Sequence, residues 1–212
     1  MYRVFLTGAL SVLILGCGAV VDSQVASRTP IPVGAVSANV RKILDDAKRQ
    51  TKVTSGYTQE YFEIAYPNGD VPEHTGACTD VVVRAFRAVG VDLQKEVHED
   101  MTEHFSRYPT KWGLTGPDPN IDHRRVPNLQ TFFDRRGKSL AVSTKPADFK
   151  PGDIVTWDLD GKGMTHIGLV ADVADPKTGR PFIYHNIGSG ARLEDRLFEW
   201  TITGHYRYFP AK

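Results

Sequence analysis

The last third of the chain carries four short runs of β-branched and aromatic residues, and these constrain the fold more than any other feature. They are GDIVTWDL, THIGLVADV, PFIYHNIG and TITGHYRYF, and Gly, Pro or Asp residues bound each one. Runs of this length and composition predict strands. Helical patterns dominate the preceding part of the chain. The sequence therefore predicts an α+β domain in which N-terminal helices pack on a C-terminal antiparallel sheet.

Three segments before the sheet have the apolar spacing of helices. They are residues 37–50, residues 78–89 and a segment that Pro127 opens and Gly137 closes. Residues 61–72, YFEIAYPNGDVP, form a β-like run that breaks into a turn. Residues 95–127 are polar and contain four prolines, so we expect a long ordered loop or a lid there.

The N-terminus resembles an export signal. Arg3 precedes an apolar run, residues 4–15, that is too short to span a bilayer comfortably. The following ILGC resembles a bacterial lipobox, which predicts that Cys17 is acylated and anchors the protein to a membrane. Ordinary cleavage after CGA, which would leave a soluble exported protein, is the alternative. Acylation and ordinary cleavage both predict a mature protein in the cell envelope, in the periplasm.

The remaining chain has the length of one domain. We divide it into a signal over residues 1–17, a tether over 18–36 and a single domain over 37–212. The 26 Lys and Arg residues balance the 25 Asp and Glu residues, so no overall charge favours nucleic acid as a partner.

Cys78 stands alone in the mature chain, because Cys17 is unavailable for a disulfide in either case. A buried cysteine that acts as a small apolar residue is the simplest explanation. However, Cys78 opens a predicted helix, and a helix N-terminus stabilises a thiolate. We therefore expect a nucleophile whose pKa lies below the free value of about 8.5.

A thiol nucleophile needs an imidazole to take its proton and a third group to orient that imidazole. His166 lies at the start of one run, and His185 lies near the end of the next. The two runs would form a hairpin that turns near residue 176. Facing residues in such a hairpin are about 5 Å apart. We assign His166 as the base and His185 as the orienting residue. Asn186, on the opposite face, is the alternative third residue.

A cysteine that opens a helix, followed by PGDIVTW, THIGLV and a strand with a histidine, resembles the NlpC-type cell-wall cysteine peptidases. The resemblance implies a papain-like core and catalytic roles for Cys78, His166 and His185. It also implies a cleft-bordering role for Tyr66 and no cofactor. Those enzymes carry an acid before the cysteine to hold the amine of the substrate. Here that position is Ala77, and Asp80 is the candidate replacement.

The chain as a whole is similar to a bacterial family known only as a domain of unknown function, number 1287. The motifs that carry this likeness are TGACTDVV, DPNIDHRRVPNL, GDIVTW, HNIG and GHYRY. These motifs by themselves imply no particular reaction. The last of them contains His205 and Arg207, which we expect to close the sheet.

The segment GPDPNIDHRRVPNLQ allows three interpretations. Arg124 or Arg125 could bind a substrate carboxylate, because a guanidinium fork matches that group. The segment could also be a charged surface loop. A metal site is the third possibility, although compact zinc spacing is lacking. Its ligands would be Asp118, Asp122 and His123, with His98 or His104.

Taken together, these features predict an exported cysteine hydrolase that cleaves amide bonds in peptidoglycan stem peptides. One alternative uses the same three residues in an acyltransferase or in a hydrolase of other amides or esters. Another is a catalytically inactive binding module of the cell envelope. A metal-dependent hydrolase built on DPNIDH is the last.

Overall fold

A computed structural model describes residues 29–30 and 36–209. The predicted export signal with Cys17, and nearly all of the predicted tether, lie outside the described residues. Within the described part of the chain, no helix is long and apolar enough to cross a bilayer.

Among the described residues, four α-helices form the first layer of the domain. They are α1 (Ala38–Val53), α2 (Cys78–Arg87), α3 (Leu93–His104) and α4 (Val126–Arg135). The helices predicted from residues 37, 78 and 127 correspond to α1, α2 and α4, so those predictions are confirmed. Ser37 caps α1, because its hydroxyl accepts a hydrogen bond from the amide of Val40.

Helix α3 contradicts the expected absence of regular structure after residue 95. Its buried residues Leu93, Val97 and Met101 recur every four positions, and the carboxylate of Asp92 caps its start. The prolines lie beyond this helix, where two 3₁₀ turns, Phe105–Arg107 and Asp122–Arg124, follow.

The run at residues 61–72 forms no strand, which is a second correction. Gln94 of α3 holds it by side-chain hydrogen bonds instead. The Gln94 amide donates to the carbonyl of Ala65 at 2.8 Å and accepts from the N–H of Gly69 at 2.8 Å. These bonds satisfy backbone groups that a neighbouring strand would otherwise take.

An antiparallel sheet forms the second layer. Its strands are β2 (Ile154–Asp158), β3 (Thr165–Ala174), β4 (Pro181–Asn186), β5 (Ala191–Glu194) and β6 (Thr201–Tyr206), in the order β5-β4-β3-β2-β6. A short strand, β1 (Thr29–Pro30), also pairs with β3. The four predicted strands are present. Strand β5 was not predicted, and neither was β1, which lies within the predicted tether and corrects that assignment at residues 29–30. The predicted α+β class is confirmed.

Each face of the sheet has its own apolar cluster. Ile167 and Leu169 of β3 and Tyr184 of β4 pack towards α1 and α2. The neighbouring residues Val170 and Ile183 point to the opposite face, because side chains alternate along a strand. That second cluster is smaller. It comprises Phe149, Val155, Trp157, Val170, Ile183 and Leu197.

Candidate active site

Cys78 is the first residue of α2, and its surroundings fix how that helix begins. Gly76 has a φ of 154°, where an added Cβ would lie 3.0 Å from the Asp80 side chain. The Asp80 carboxylate accepts a hydrogen bond of 2.6 Å from the N–H of Ala77 and so caps the helix. The thiol of Cys78 is free, and the residue is only 5% exposed.

Strands β3 and β4 separate at the end that faces α2. From Ala174 back towards His166, the pairing of β3 with β4 extends as far as Leu169 and Tyr184. Among the described residues, no pair joins the two strands beyond that point. Val170 exchanges two backbone hydrogen bonds of 2.8 Å with residues 152–153, next to β2. Because backbone groups of successive residues alternate in direction, Ile167 points its N–H away from β2, into the gap beside β4.

Cys78 packs against the start of β3. The backbone N–H of Ile167 is directed at its thiol and favours the thiolate. Asn186, at the end of β4, turns its side-chain amide to the carbonyls of Gly56 and Gly76, at 3.0 and 2.9 Å. Asn186 therefore ties the end of β4 to the segments that precede α2.

His166, His185 and Glu194 form a hydrogen-bonded chain across β3, β4 and β5. His166 Nε2 lies 2.8 Å from His185 Nδ1, and His185 Nε2 lies 3.0 Å from Glu194 Oε2. An ionised carboxylate only accepts hydrogen bonds, so His185 carries its proton on Nε2. His185 Nδ1 must then accept from His166 Nε2–H. This assignment leaves His166 Nδ1 without a proton, which is the form that a general base requires.

Both histidine rings lie on the sheet face opposite α2. His166 packs beside Trp157 and Trp200, at ring centroid distances of 5.7 and 5.6 Å. The imidazoles thus approach the gap from one face and Cys78 from the other. No hydrogen bond joins Cys78 to His166 among the described residues. Catalytic hydrogen bonds are often long before substrate binds.

Burial favours the neutral forms of Cys78 and His166. It raises the pKa of the Cys78 thiol to about 12, although the amides of Ile167, Thr79 and Cys78 itself favour the thiolate. Burial also lowers the pKa of His166 to about 3, and the neighbouring His185 adds to this effect. The expectation of a thiolate with a pKa below 8.5 is therefore wrong for the free protein. The helix N-terminus is present, but desolvation outweighs it.

An open cleft of about 350 Å³ exposes the thiol side of the gap. Segments before α2, loops before α4 and the start of β3 form its walls. Tyr61 and Trp112 stand at its edge and are 55% and 41% exposed. The residues that line the cleft are Gln59, Tyr61, Ala77, Cys78, Trp112, Ile121, Arg124, Arg125, Val126, Pro127 and Thr165.

Two of the predicted substrate-binding residues bind each other. Arg124 Nε lies 3.0 Å from Asp80 Oδ1, and both side chains are buried. Arg124 also donates to the carbonyls of Glu60 and Thr58. Its guanidinium therefore connects α2 to the segment that precedes it. Asp80 and Arg124 shape the wall of the cleft, and their charges compensate each other.

Arg125 and Tyr66 occupy different surroundings. Arg125 lines the cleft, and its guanidinium lies over the ring of Trp112 at 4.2 Å. Tyr66 packs edge-on against His98 at 5.1 Å and is not among the residues that line the cleft. Tyr61 stands at the cleft edge in its place.

The proposed metal ligands in DPNIDH hold the loop together. Asp122 Oδ2 accepts a 2.6 Å hydrogen bond from the N–H of Asp118 and lies 3.4 Å from His98 Nδ1. His123 is buried, and burial lowers its pKa to about 3. His104 contacts Asp100 instead. In the described ranges, no group of three or more His, Cys, Asp or Glu side chains is placed to hold a metal ion.

Sequence reasoning missed several residues of the site. Glu194 lies on β5, whose four residues ARLE carry too little alternation to predict a strand. Gln59, Tyr61 and Thr165 line the cleft without belonging to any recognisable motif. The position of Thr165 beside His166 was the available signal, because a residue next to a candidate base at a strand start lies near the same opening.

Comparison with known proteins identifies relatives of the chain. The model of DUF1287, a domain of unknown function, matches residues 44–208. Uncharacterized protein YijF from Escherichia coli (strain K12) is 51% identical over 181 residues, which are 85% of this chain and 87% of that protein. The structure of NlpC1 from Trichomonas vaginalis has a TM-score of 0.46 and 13% sequence identity, over 86% of this chain. The match covers 48% of that structure, so this chain spans about half its length. Any function must therefore be inferred from the chain's own residues.

Proposed function

The chain belongs to the DUF1287 family, and we propose from its own residues that it is a cysteine hydrolase. Cys78 is the nucleophile, His166 is the general base and acid, and His185 orients His166. Glu194 holds the tautomer of His185. The substrate is an amide bond in the stem peptides of peptidoglycan, cleaved by an endopeptidase or amidase reaction.

One observation carries this proposal: the chain from Glu194 through His185 leaves His166 Nδ1 without a proton, and the residue after His166 directs its backbone N–H to the Cys78 thiol. The hydrogen bonds of 3.0 and 2.8 Å set the direction of both donors. The open cleft supplies a path for substrate to the sulfur on the other side.

The reaction begins with a neutral thiol and a neutral imidazole. As the sulfur attacks the carbonyl carbon, the thiol proton moves to His166 Nδ1 and a carbon–sulfur bond forms. Separate ions are unfavourable here, because burial raises the pKa of Cys78 and lowers that of His166. Moving the proton within the pair creates two opposite charges together, and their attraction offsets part of the desolvation cost.

Collapse of the tetrahedral intermediate breaks the carbon–nitrogen bond, and His166 gives its proton to the leaving amine. Water then attacks the thioester while His166 takes one of its protons. The acid is released, and the proton returns to the sulfur. The backbone N–H of Cys78, at the start of α2, is the proposed donor to the oxyanion.

The sequence motifs and the predicted export signal support peptidoglycan as the substrate. A chain anchored through acylated Cys17, or secreted after ordinary cleavage, would meet this polymer in the periplasm. Its stem peptides contain amide bonds next to carboxylates. We therefore propose a location in the cell envelope, with peptidoglycan as the partner.

The protonated, buried thiol favours a second candidate, a catalytically inactive module that binds the cell envelope. Such a module would retain the cleft but would need no reaction at Cys78. It predicts equal binding of sacculi by the wild type and by Cys78→Ala, with no fragments from either.

Digestion of purified sacculi tests the proposal. We expect the full chain to release peptide fragments and Cys78→Ala to release none, while Lys52→Ala, an exposed substitution on α1, behaves as wild type. Mass analysis of the fragments separates hydrolysis from acyl transfer, because a transferase product carries a second amine instead of water. Fragments from Cys78→Ala at the wild-type rate would refute the cysteine mechanism.

A further inference from the structure

Two adjacent arginines line the cleft, but only one has a free charge. Arg124 directs its guanidinium to the Asp80 carboxylate and to two backbone carbonyls. It therefore has little capacity left for a ligand. Among the residues that line the cleft, Arg125 is the other charged side chain.

Arg125 lines the cleft, and its side chain has an unsatisfied donor. Its Nη1 atom is buried and has no hydrogen-bond acceptor among the described residues. Burial lowers the pKa of Arg125, against the attraction of Asp122 and Asp118. A buried donor without an acceptor is costly, and more so when it is charged. An acceptor supplied by a ligand would remove this cost.

Trp112 holds the guanidinium in place. The two groups are stacked at 4.2 Å, which favours the cation and limits the rotation of the side chain. Trp112 is 41% exposed, so the pair lies at the accessible edge of the cleft. An arginine fixed in this way loses less conformational entropy when it binds a ligand.

We propose that Arg125, positioned by Trp112, binds a carboxylate of the substrate and selects peptides that carry one near the bond that is cleaved. This inference rests on the proposed function for the identity of the substrate. It assigns specificity to Arg125 alone and excludes Arg124 and Asp80 from it.

The charge of the cleft fits a carboxylate better than a phosphate. Asp80 compensates Arg124, which leaves the single positive charge of Arg125 among the lining residues. One guanidinium matches one carboxylate in charge and in its two-pronged geometry. A phosphate dianion paired with Arg125 would keep one net negative charge. Asp118 and Asp122, which already attract Arg125, would repel that charge.

Calorimetry with Cys78→Ala as the background separates binding from cleavage. The probes are a soluble stem peptide released from sacculi and the same peptide with its carboxylates converted to amides. We expect Arg125→Gln to weaken binding of the free-acid peptide by about 10- to 100-fold, as for loss of a hydrogen bond to a charged group. Arg125→Lys should recover only part of that loss. The amidated peptide should bind weakly, and equally, to all variants.

Arg107→Gln is the matched control, because it removes the same charge from an exposed 3₁₀ turn outside the cleft. Thermal unfolding confirms that each variant folds. Equal binding of the free-acid peptide to Arg125→Gln and its parent would overturn the inference. Displacement of the peptide by inorganic phosphate at similar concentration would do so too. Carboxylate-dependent binding in a chain that cleaves no sacculi would uphold the inference and refute the hydrolase instead.

Discussion

Two histidine–carboxylate pairs with buried imidazoles lie on the same sheet, and they differ in what surrounds them. His205 Nε2 lies 2.8 Å from Asp153 Oδ2, at the β2–β6 end of the sheet. His185 Nε2 lies 3.0 Å from Glu194 Oε2, at the β4–β5 end. The two pairs have similar geometry, so the contact alone does not distinguish a site from a structural element.

The two pairs differ in the other residues that contact them. The Asp153 carboxylate also accepts two hydrogen bonds of 2.7 Å from Arg207, and the His205 ring stacks on Phe149 at 4.4 Å. That cluster joins the neighbouring strands β2 and β6 at one edge of the sheet, in line with the expectation that His205 and Arg207 close it. His205 Nδ1 is buried there and has no hydrogen-bond partner among the described residues. The Glu194 pair instead continues through His185 to His166, and the residue after His166 directs its backbone N–H to the Cys78 thiol.

The largest difference should appear in activity. We expect His166→Gln to reduce kcat/KM on sacculi by about 10²- to 10⁴-fold, because it removes the proposed general base. His205→Gln should leave the activity per folded molecule within about threefold of wild type, since its cluster touches no reacting atom. Fragment release, normalised to the folded fraction, measures both. Equal losses from the two variants would show that the pairs do not differ in function.

For stability we expect the opposite order, with the Asp153 cluster contributing more than the Glu194 pair. Asp153 is fully buried between Arg207 and His205, so Asp153→Ala should lower the free energy of unfolding by about 3–5 kcal/mol. The Glu194 side chain is 27% exposed, and Glu194→Ala should cost about 1 kcal/mol or less. Urea unfolding at pH 7 compares them. A larger cost for Glu194→Ala would contradict the structural role assigned to the Asp153 cluster.

Acid sensitivity is the third difference. His166 has a pKa of about 3 in the folded protein because of burial, whereas the unfolded chain has an ordinary value of about 6.5. The unfolded state therefore binds more protons as the pH falls below 6.5, and stability falls with it. We expect the loss between pH 7 and pH 5 to be about 2 kcal/mol smaller in His166→Gln than in wild type. Urea unfolding at both pH values tests this, and an equal loss would argue against a neutral His166.

The smallest effect concerns Glu194. Glu194→Gln retains an acceptor but also introduces a donor, so His185 no longer has one enforced tautomer. We expect kcat to fall by roughly 10-fold while KM changes little, because the base is less often in its active form. Steady-state kinetics on soluble fragments of sacculi give both values. Unchanged kcat would place Glu194 outside the catalytic chain.

Local patterns predicted much of the fold and part of the site. The helix that begins at Cys78 and the facing strands of His166 and His185 follow from periodicity, which each segment carries within itself. Glu194 could not be found in this way, because β5 is short and exists only through its pairing with β4. Helix α3 was missed because polar residues and nearby prolines hid its apolar spacing.

Long-range packing decided what the sequence left open. Arg124 and Arg125 are adjacent and identical in type, and they differ only because Asp80, 44 residues earlier, lies against one of them. The pKa of Cys78 is a second case. A helix start predicts a lowered value, but the cost of burial depends on the whole sheet that covers the thiol.

Alkylation of Cys78 by iodoacetamide at pH 7.5 tests the central claim, that His166 takes the proton of the Cys78 thiol. Mass spectrometry of the peptide that contains Cys78 gives the rate without knowledge of the substrate. The account predicts slow labelling of the folded wild type, at least about 10-fold slower labelling of His166→Gln, and a wild-type rate for His205→Gln. Equal rates in wild type and His166→Gln, or labelling only after unfolding in urea, would contradict it and leave Cys78 a buried residue of the core.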